Sequence, residues 1–272
     1  EAAELAGLKV RRLLNEATAT TLAYGYKRQT EETIMVFDIG GGTLDISIVE
    51  MGGGVFEVKY IDGDTRLGGV DLSRKLEAVF YKKLMVQYPN VVLNRCQKEM
   101  LKDEIEKAKI ALSGTQTTFI RIYGVEQVNM VEIEITRPEF EEAIEELLNS
   151  AFELLRKIKS IEFSLSDIDT VLLVGRTSRI PIIRKRIETE LMRPSPYADV
   201  ETCVAKGAAI QAAILDSKIE NIVLCDAIPA RLSVETLGGI STTLIEAHTT
   251  IPVDHTETFT TAEDNQTSVE LK

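Results

Sequence analysis

Thr33-Ile34-Met35-Val36-Phe37-Asp38-Ile39-Gly40-Gly41-Gly42-Thr43-Leu44-Asp45-Ile46-Ser47-Ile48-Val49 changes character twice. A short apolar run is interrupted by three glycines, and a stretch that alternates apolar with polar follows. A second triplet, Gly52 to Gly54, precedes Val55-Phe56-Glu57-Val58-Lys59-Tyr60. Three strands joined by two glycine turns make an antiparallel meander. A turn of three glycines lets backbone N–H groups converge without interference from Cβ atoms, which is how a loop holds a phosphate. Thr43 adds a hydroxyl donor. Asp38 and Asp45 flank the turn on adjacent strands, where they could hold a hydrated Mg²⁺ or orient an attacking water. The same spacing also fits an ordinary hairpin turn with two solvated aspartates.

Outward from this meander the apolar spacing assigns the remaining elements. Upstream, Leu5, Leu8, Leu13 and Leu22 with intervening alanines suggest helical stretches from Ala2 to Tyr24, broken near Gly7. Downstream, Leu72, Leu76, Val79, Phe80 and Leu84 follow helical spacing up to Pro89, and a second helix runs from about Asn94 to Ser113. Phe119 to Tyr123 and Met130 to Ile135 read as a strand pair. Thr136-Arg137-Pro138-Glu139 is a capping box that opens a long amphipathic helix through about Lys159. Val171 to Val174 is a fully apolar strand ending at Gly175, followed by helices from about Pro181 to Met192 and from Cys203 to Leu215. Strands alternating with helices predict an α/β architecture. Near Asp216 to Pro229 the pattern predicts a linker containing the apolar stretch Ile222 to Asp226, and after it a Thr-rich β segment.

Composition narrows the function classes. The 272 residues are 44% hydrophobic and 27% charged, with 31 Lys and Arg against 43 Asp and Glu, a formal net charge of −12. Such a charge repels nucleic-acid phosphates and anionic lipid, so neither nucleic acid nor a membrane is an expected partner. No run approaches the roughly 18 apolar residues of a membrane span, and Glu1 to Gly7 does not read as a signal peptide, so a cytoplasmic chain is expected. Cys96, Cys203 and Cys225 are odd in number and never in CxxC spacing, which suggests buried reduced thiols rather than a disulfide framework or a zinc site. The two histidines, His248 and His255, pair with no nucleophile by spacing. Chemistry on this chain is left to carboxylates, hydroxyls and backbone. No GxxxxGK[ST] run is present, which excludes a P-loop, and the glycines do not form GxGxxG opening a helix.

Five separated motifs carry a closer likeness: Asn15-Glu16-Ala17-Thr18-Ala19 with Ala23-Tyr24-Gly25, Phe37 to Asp45, Gly63-Asp64-Thr65-Arg66-Leu67-Gly68-Gly69, Val174-Gly175-Arg176-Thr177-Ser178-Arg179-Ile180-Pro181, and Gly207-Ala208-Ala209. In order and spacing they resemble the seventy-kilodalton heat-shock chaperones, and Thr249 to Pro252 with Phe259 to Gln266 resembles the start of those proteins' peptide-binding domain. The resemblance implies an actin-like (ribonuclease H-like) ATPase lobe with a mixed sheet and helices, followed by the first strands of a β-sandwich. By position, 1–27 corresponds to the end of nucleotide-binding lobe I and 28–216 to lobe II, with an outer subdomain at about 68–144. An interdomain linker at 217–229 and the peptide-binding β domain from 230 to 272 complete the division.

The same resemblance implies ATP or ADP with Mg²⁺ as ligands. It makes Gly40, Gly41, Gly42 and Thr43 a phosphate loop, Asp38 and Glu16 the metal carboxylates, and Asp45 the carboxylate near the catalytic water. Glu16, Asp38, Thr43 and Asp45 thereby become the catalytic set. Gly68 and Gly69, with Glu106, Lys109, Ser113, Gly175, Thr177, Arg179 and Glu201, become the nucleotide-binding remainder. Implied partners are unfolded or extended apolar peptides, J-domain co-chaperones and nucleotide-exchange factors.

Several positions depart from the family pattern: Ala17 replaces a proline, Ile110 an arginine that packs on adenine, Val70 an acidic residue near the ribose, and Arg176 the second glycine of a nucleotide-contacting turn, while Glu201 lengthens an aspartate and the linker Val223 to Asp226 has one leucine replaced. The family's other phosphate loop and its lysine would precede Glu1, so the expectation for this chain alone is negligible ATP turnover. Two other readings compete with an ATP-dependent chaperone. One is a non-catalytic regulatory relic of the same family. The other is a different actin-like ATPase such as a sugar kinase, which the linker and Thr-rich tail argue against.

Overall fold

A computed structural model describes residues 1–126, 128–158, 164–191, 201–236, 239–261 and 265–268. Helix α1 (Ala2–Leu5) and helix α2 (Glu16–Gly25) are separated by an exposed extended stretch, a wider break than the sequence pattern predicts near Gly7. Leu5, Leu8, Val10 and Leu13 are all exposed, so no packed face drives that stretch into a helix. Strands β1 (Glu32–Ile39), β2 (Leu44–Gly52) and β3 (Val55–Asp64) form the expected antiparallel meander. Helix α3 (Gly69–Gln87), helix α4 (Arg95–Gly114), strand β4 (Thr117–Val125), strand β5 (Asn129–Thr136) and helix α5 (Arg137–Ile158) follow.

Helix α5 opens on the expected box. Thr136 donates its N–H and its hydroxyl to Glu139 Oε2, each at 2.9 Å, and the Glu139 N–H returns to the Thr136 hydroxyl at 3.4 Å. Strand β6 (Thr170–Val174), helix α6 (Pro181–Leu191), helix α7 (Cys203–Leu215) and strand β7 (Val223–Ala227) lead to β8 (Leu232–Thr236), β9 (Ile240–Ile245) and β10 (Thr250–Ile251). Lys159 and Met192, at the expected helix ends, and Ala262, Glu263 and Asp264 of the β tail lie outside the described residues.

One mixed six-stranded sheet runs β10-β7-β3-β2-β1-β6, with β6 parallel to β1 and β7 parallel to β3. Both faces of its centre are buried, and period-two alternation sorts the residues. Met35, Phe37 and Ile39 join one core with Leu44, Ile46 and Ile48, while Ile34 and Val36 join a second with Ala17 and Leu22 of α2, Cys203 of α7, and Leu172 and Val174. On the first side α5 packs against the sheet, its Phe152 ring centroid 6.0 Å from that of Phe37. That core continues without a break through α3, α4, β4 and β5.

Within the stretch expected as a linker, Val223, Leu224 and Cys225 pair as a strand with Val55, Phe56 and Glu57. Apolar β-forming residues beside an otherwise unpaired edge of β3 find backbone partners there. The expectation of buried thiols holds for Cys203 alone, since Cys225 is half-buried and Cys96 exposed; all three are free.

Candidate nucleotide-phosphate site

The turn between β1 and β2 is fixed by its register. Asp38 pairs with Asp45 and Ile39 with Leu44, and the Gly40 N–H donates to the Thr43 carbonyl at 3.0 Å. Cross-strand partners share a face, so the two aspartates stand side by side at the end of the sheet. A Cβ on Gly41 or Gly42 would meet nothing within 4 Å, and neither residue has positive φ. Internal packing therefore does not demand glycine here, and what the missing Cβ atoms provide is clearance above the turn. Among the described residues, the N–H groups of Gly41 and Gly42 have no protein acceptor.

Two other segments brace the turn from below. The N–H groups of Gly69 and Val70, in the first turn of α3, donate to the carbonyls of Gly40 (3.0 Å) and Gly41 (2.8 Å). Gly68 and Gly69 thus support the loop, with the Gly68 N–H held by Asp71 Oδ2 at 3.1 Å. From the other side the Thr177 hydroxyl donates to the Gly40 carbonyl at 2.8 Å. Gly175 precedes it with φ of 76°, and a Cβ there would lie 2.2 Å from the Ile39 carbonyl oxygen and 2.7 Å from Asp38 Oδ1. Only glycine tolerates both the left-handed backbone and that approach. Arg176, which replaces a family glycine, lies in a 3₁₀ turn without positive φ and points its side chain to solvent. The left-handed backbone of this turn is carried by Gly175, not by Arg176.

Lys109 enters the same region. It is buried, donates to the Gly69 carbonyl at 2.9 Å and to the Ser73 hydroxyl at 3.1 Å, and pairs with Glu106 at 2.7 Å. Ser73, which sequence reasoning missed, also donates to Glu106 Oε2 at 3.0 Å. Its only signal was a position four residues beyond Gly69, one turn along α3. Ser113 Oγ reaches the Lys109 carbonyl at 3.5 Å, a contact internal to α4. Arg179 pairs with Glu201 at 3.3 Å, with Arg176 at 3.8 Å from the same carboxylate, and all three side chains are substantially exposed. The structure thus gathers Asp38, Gly40, Gly41, Gly42, Thr43, Asp45, Gly68, Gly69, Lys109, Gly175 and Thr177. Glu106 is attached through Lys109 and Ser73, and Arg179 with Glu201 forms a separate pair.

The electrostatics of the cluster favour a cation. Burial, then Glu16 at the first turn of α2, then Asp45, push the Asp38 carboxyl up to about 7. Asp45 is also raised, by burial, although a hydrogen bond from Thr43 pulls the other way. Carboxylates that repel one another gain from a positive charge among them, and oxygen-only donors suit a hard divalent ion such as Mg²⁺. Among the described residues no group of three or more His, Cys, Asp or Glu side chains could by itself hold a metal.

Comparison with known proteins identifies the family. The family model described as Hsp70 protein matches residues 1–272. Chaperone protein DnaK 1 of Synechococcus sp. and Chaperone protein dnaK3 of Synechococcus elongatus are each 40% identical over 279 aligned positions, which take in 100% of this chain. The chain spans 37% of the length of each of those relatives. A whole-length family match, two relatives at that identity and a mixed α/β sheet bearing the glycine turn lead to one conclusion: the chain belongs to the Hsp70 family.

Proposed function

We propose that this chain is part of an ATP-dependent molecular chaperone and that it takes ATP or ADP, with Mg²⁺, at the Gly40–Thr43 turn. The observation that carries this reading is the exposed triple glycine. At Gly41 and Gly42 the missing Cβ atoms serve no internal contact, the N–H groups meet no protein acceptor among the described residues, and the turn lies beside crowded carboxylates. A phosphate fits the first two features and a divalent cation the third.

In this reading Gly40, Gly41, Gly42 and the Thr43 hydroxyl hold phosphate oxygens, while Asp38 and Glu16 hold the hydrated Mg²⁺. Bound Mg²⁺ supplies neutralisation of the charge on the transferring phosphoryl group. Asp45, raised yet hydrogen-bonded to Thr43, orients water for attack. Gly68 and Gly69 support the loop from beneath. Glu106, Lys109, Ser113, Gly175, Thr177, Arg179 and Glu201 line the nucleoside end.

Beyond the lobe, β7 carries the connection toward β8 and β9, the start of the segment that grips extended apolar peptides. J-domain co-chaperones and nucleotide-exchange factors act on the lobe, in the cytoplasm. No helix of the described residues is long and apolar enough to cross a membrane. Nucleotide alters the peptide end only through contacts that differ between two arrangements of the lobe, and β7, which pairs with β3 on one side and with β10 on the other, provides a route for such a difference.

Thermal unfolding with and without Mg-ADP tests the site. A ligand that binds only the folded chain raises the midpoint with concentration. Gly41→Asp places a carboxylate in the phosphate position, where its Cβ meets open space. The variant is expected to unfold at the parental temperature without ligand and to lose the Mg-ADP shift. An equal shift in both proteins would overturn the assignment.

A further inference from the structure

After β7 the chain turns at Ile228 and returns at residues 246–251 along the same strand. The Ile228 N–H donates to the Thr249 carbonyl at 3.0 Å and the His248 N–H to the Ile228 carbonyl at 2.7 Å, and β10 pairs with Asp226 and Ala227. From this turn His248 reaches across to the lobe. Its Nδ1 accepts the Ile61 N–H at 3.3 Å, and its ring stacks on Tyr60 with centroids 4.5 Å apart and planes 22° from parallel. Strand β7 covers β3 only at Val55, Phe56 and Glu57, so Ile61 lies farther along the edge that β7 leaves unpaired. Ile61 is itself buried, at 4% exposure, and the imidazole is the acceptor its N–H has there.

A ring nitrogen that accepts a hydrogen bond carries no proton, so the docked arrangement requires the tautomer with its proton on Nε2. Protonation turns Nδ1 into a donor facing a donor and leaves the Ile61 N–H without an acceptor. We propose that His248 is a pH-operated latch. Neutral imidazole holds the segment from Ile228 to Ile251 on the free edge of β3, and its protonation releases that segment.

The surrounding charges oppose this only partly. From β3, Tyr60 donates its hydroxyl to Asp62 Oδ2 at 3.1 Å, and burial and Asp62 push the Tyr60 phenol up, so it stays neutral. Asp62 is half-buried and already engaged by that hydroxyl, which limits its pull on an imidazolium. From β7, the Asp226 carboxylate turns away to the Thr18 hydroxyl (3.3 Å) and the Ala227 N–H (3.0 Å). Within the returning segment, Glu246 is exposed and its carbonyl accepts the Thr249 hydroxyl at 2.8 Å. His255 is exposed and lies 3.4 Å from Glu257.

The test is amide hydrogen exchange at Ile61, corrected for the intrinsic pH dependence of exchange, between about pH 7.5 and about pH 5.5, the window in which imidazole changes charge. His248 has φ of 64°, a conformation that Asn tolerates, and the Asn side-chain oxygen is an acceptor that does not titrate. Protection at Ile61 is expected to fall about tenfold on acidification in the parent and in His255→Asn, and less than about twofold in His248→Asn. An equal fall in His248→Asn, or no fall in the parent, would overturn the latch. Should His248→Asn lack protection even at neutral pH, the His248 imidazole ¹⁵N shifts of the parent decide. Their titration midpoint must coincide with that of Ile61 exchange, and a different midpoint rejects the proposal.

Discussion

Asp38 is where structure and chemistry meet most sharply. Its carboxyl lies at about 7 in the fold against 3.8 for a free side chain, because burial, Glu16 and Asp45 all disfavour the charge. Between those two values the folded chain binds more proton at this position than the unfolded chain does. Stability therefore declines as pH rises from about 4 to about 7 and levels off above, where the charged, crowded carboxylate persists. Asp38→Asn removes the charge and keeps most of the shape, so it is expected to raise stability at pH 8 by on the order of 1 kcal/mol and to flatten the decline. Denaturant unfolding of both proteins across this range checks it. A variant less stable than the parent at pH 8 would mean that the carboxylate is satisfied rather than strained. A residue that costs stability beside an exposed glycine turn is what a functional position looks like.

Helices α2 and α7 approach each other closely and together cover one face of the sheet. A Cβ on Gly207 would fall 1.8 Å from the Ala19 carbonyl oxygen, so the two helices are in backbone contact. Gly207→Ala favours α7 by intrinsic propensity, worth about 1 kcal/mol, yet it must push the helices apart. The expected result is a net loss of about 2–3 kcal/mol in urea unfolding. A gain would show that α7 moves aside without penalty. Helix α2 carries Glu16 at its first turn, capped by Asn15 Oδ1 accepting from the Ala17 N–H at 2.9 Å. The packing of α7 on α2 therefore also sets where that carboxylate stands. That Gly207 and Ala19 face each other was not legible in the sequence, since helical period names a face but not its partner.

Over the whole molecule, what could be read from the sequence follows from the range of each interaction. The meander, the capping box of α5 and the helices α3 to α7 are legible because period and turn chemistry are local. Strand β7 was not, since Ile222 to Asp226 reads equally as a linker until the edge of β3 is known to lie beside it. The triple glycine with its flanking aspartates was legible for the same local reason. The brace beneath it was not: Thr177 reaches Gly40 across 137 positions, and Lys109 reaches Gly69 across 40. Lys109 would read by spacing as a surface partner of Glu106, and only the fold buries it. The central claim is that this assembly, joined to the Hsp70 family by the whole-chain match, takes the phosphates of Mg-ADP on the Gly40 turn. The direct measurement is an amide chemical-shift titration of the isotopically labelled chain with Mg-ADP at millimolar concentration. Shifts are predicted to concentrate at Gly40, Gly41, Gly42 and Thr43, with smaller ones at Gly69, Lys109 and Gly175, and to shrink when Mg²⁺ is chelated. A folded chain whose Gly40–Thr43 amides stay unmoved while Mg-ADP is present in excess would contradict the account.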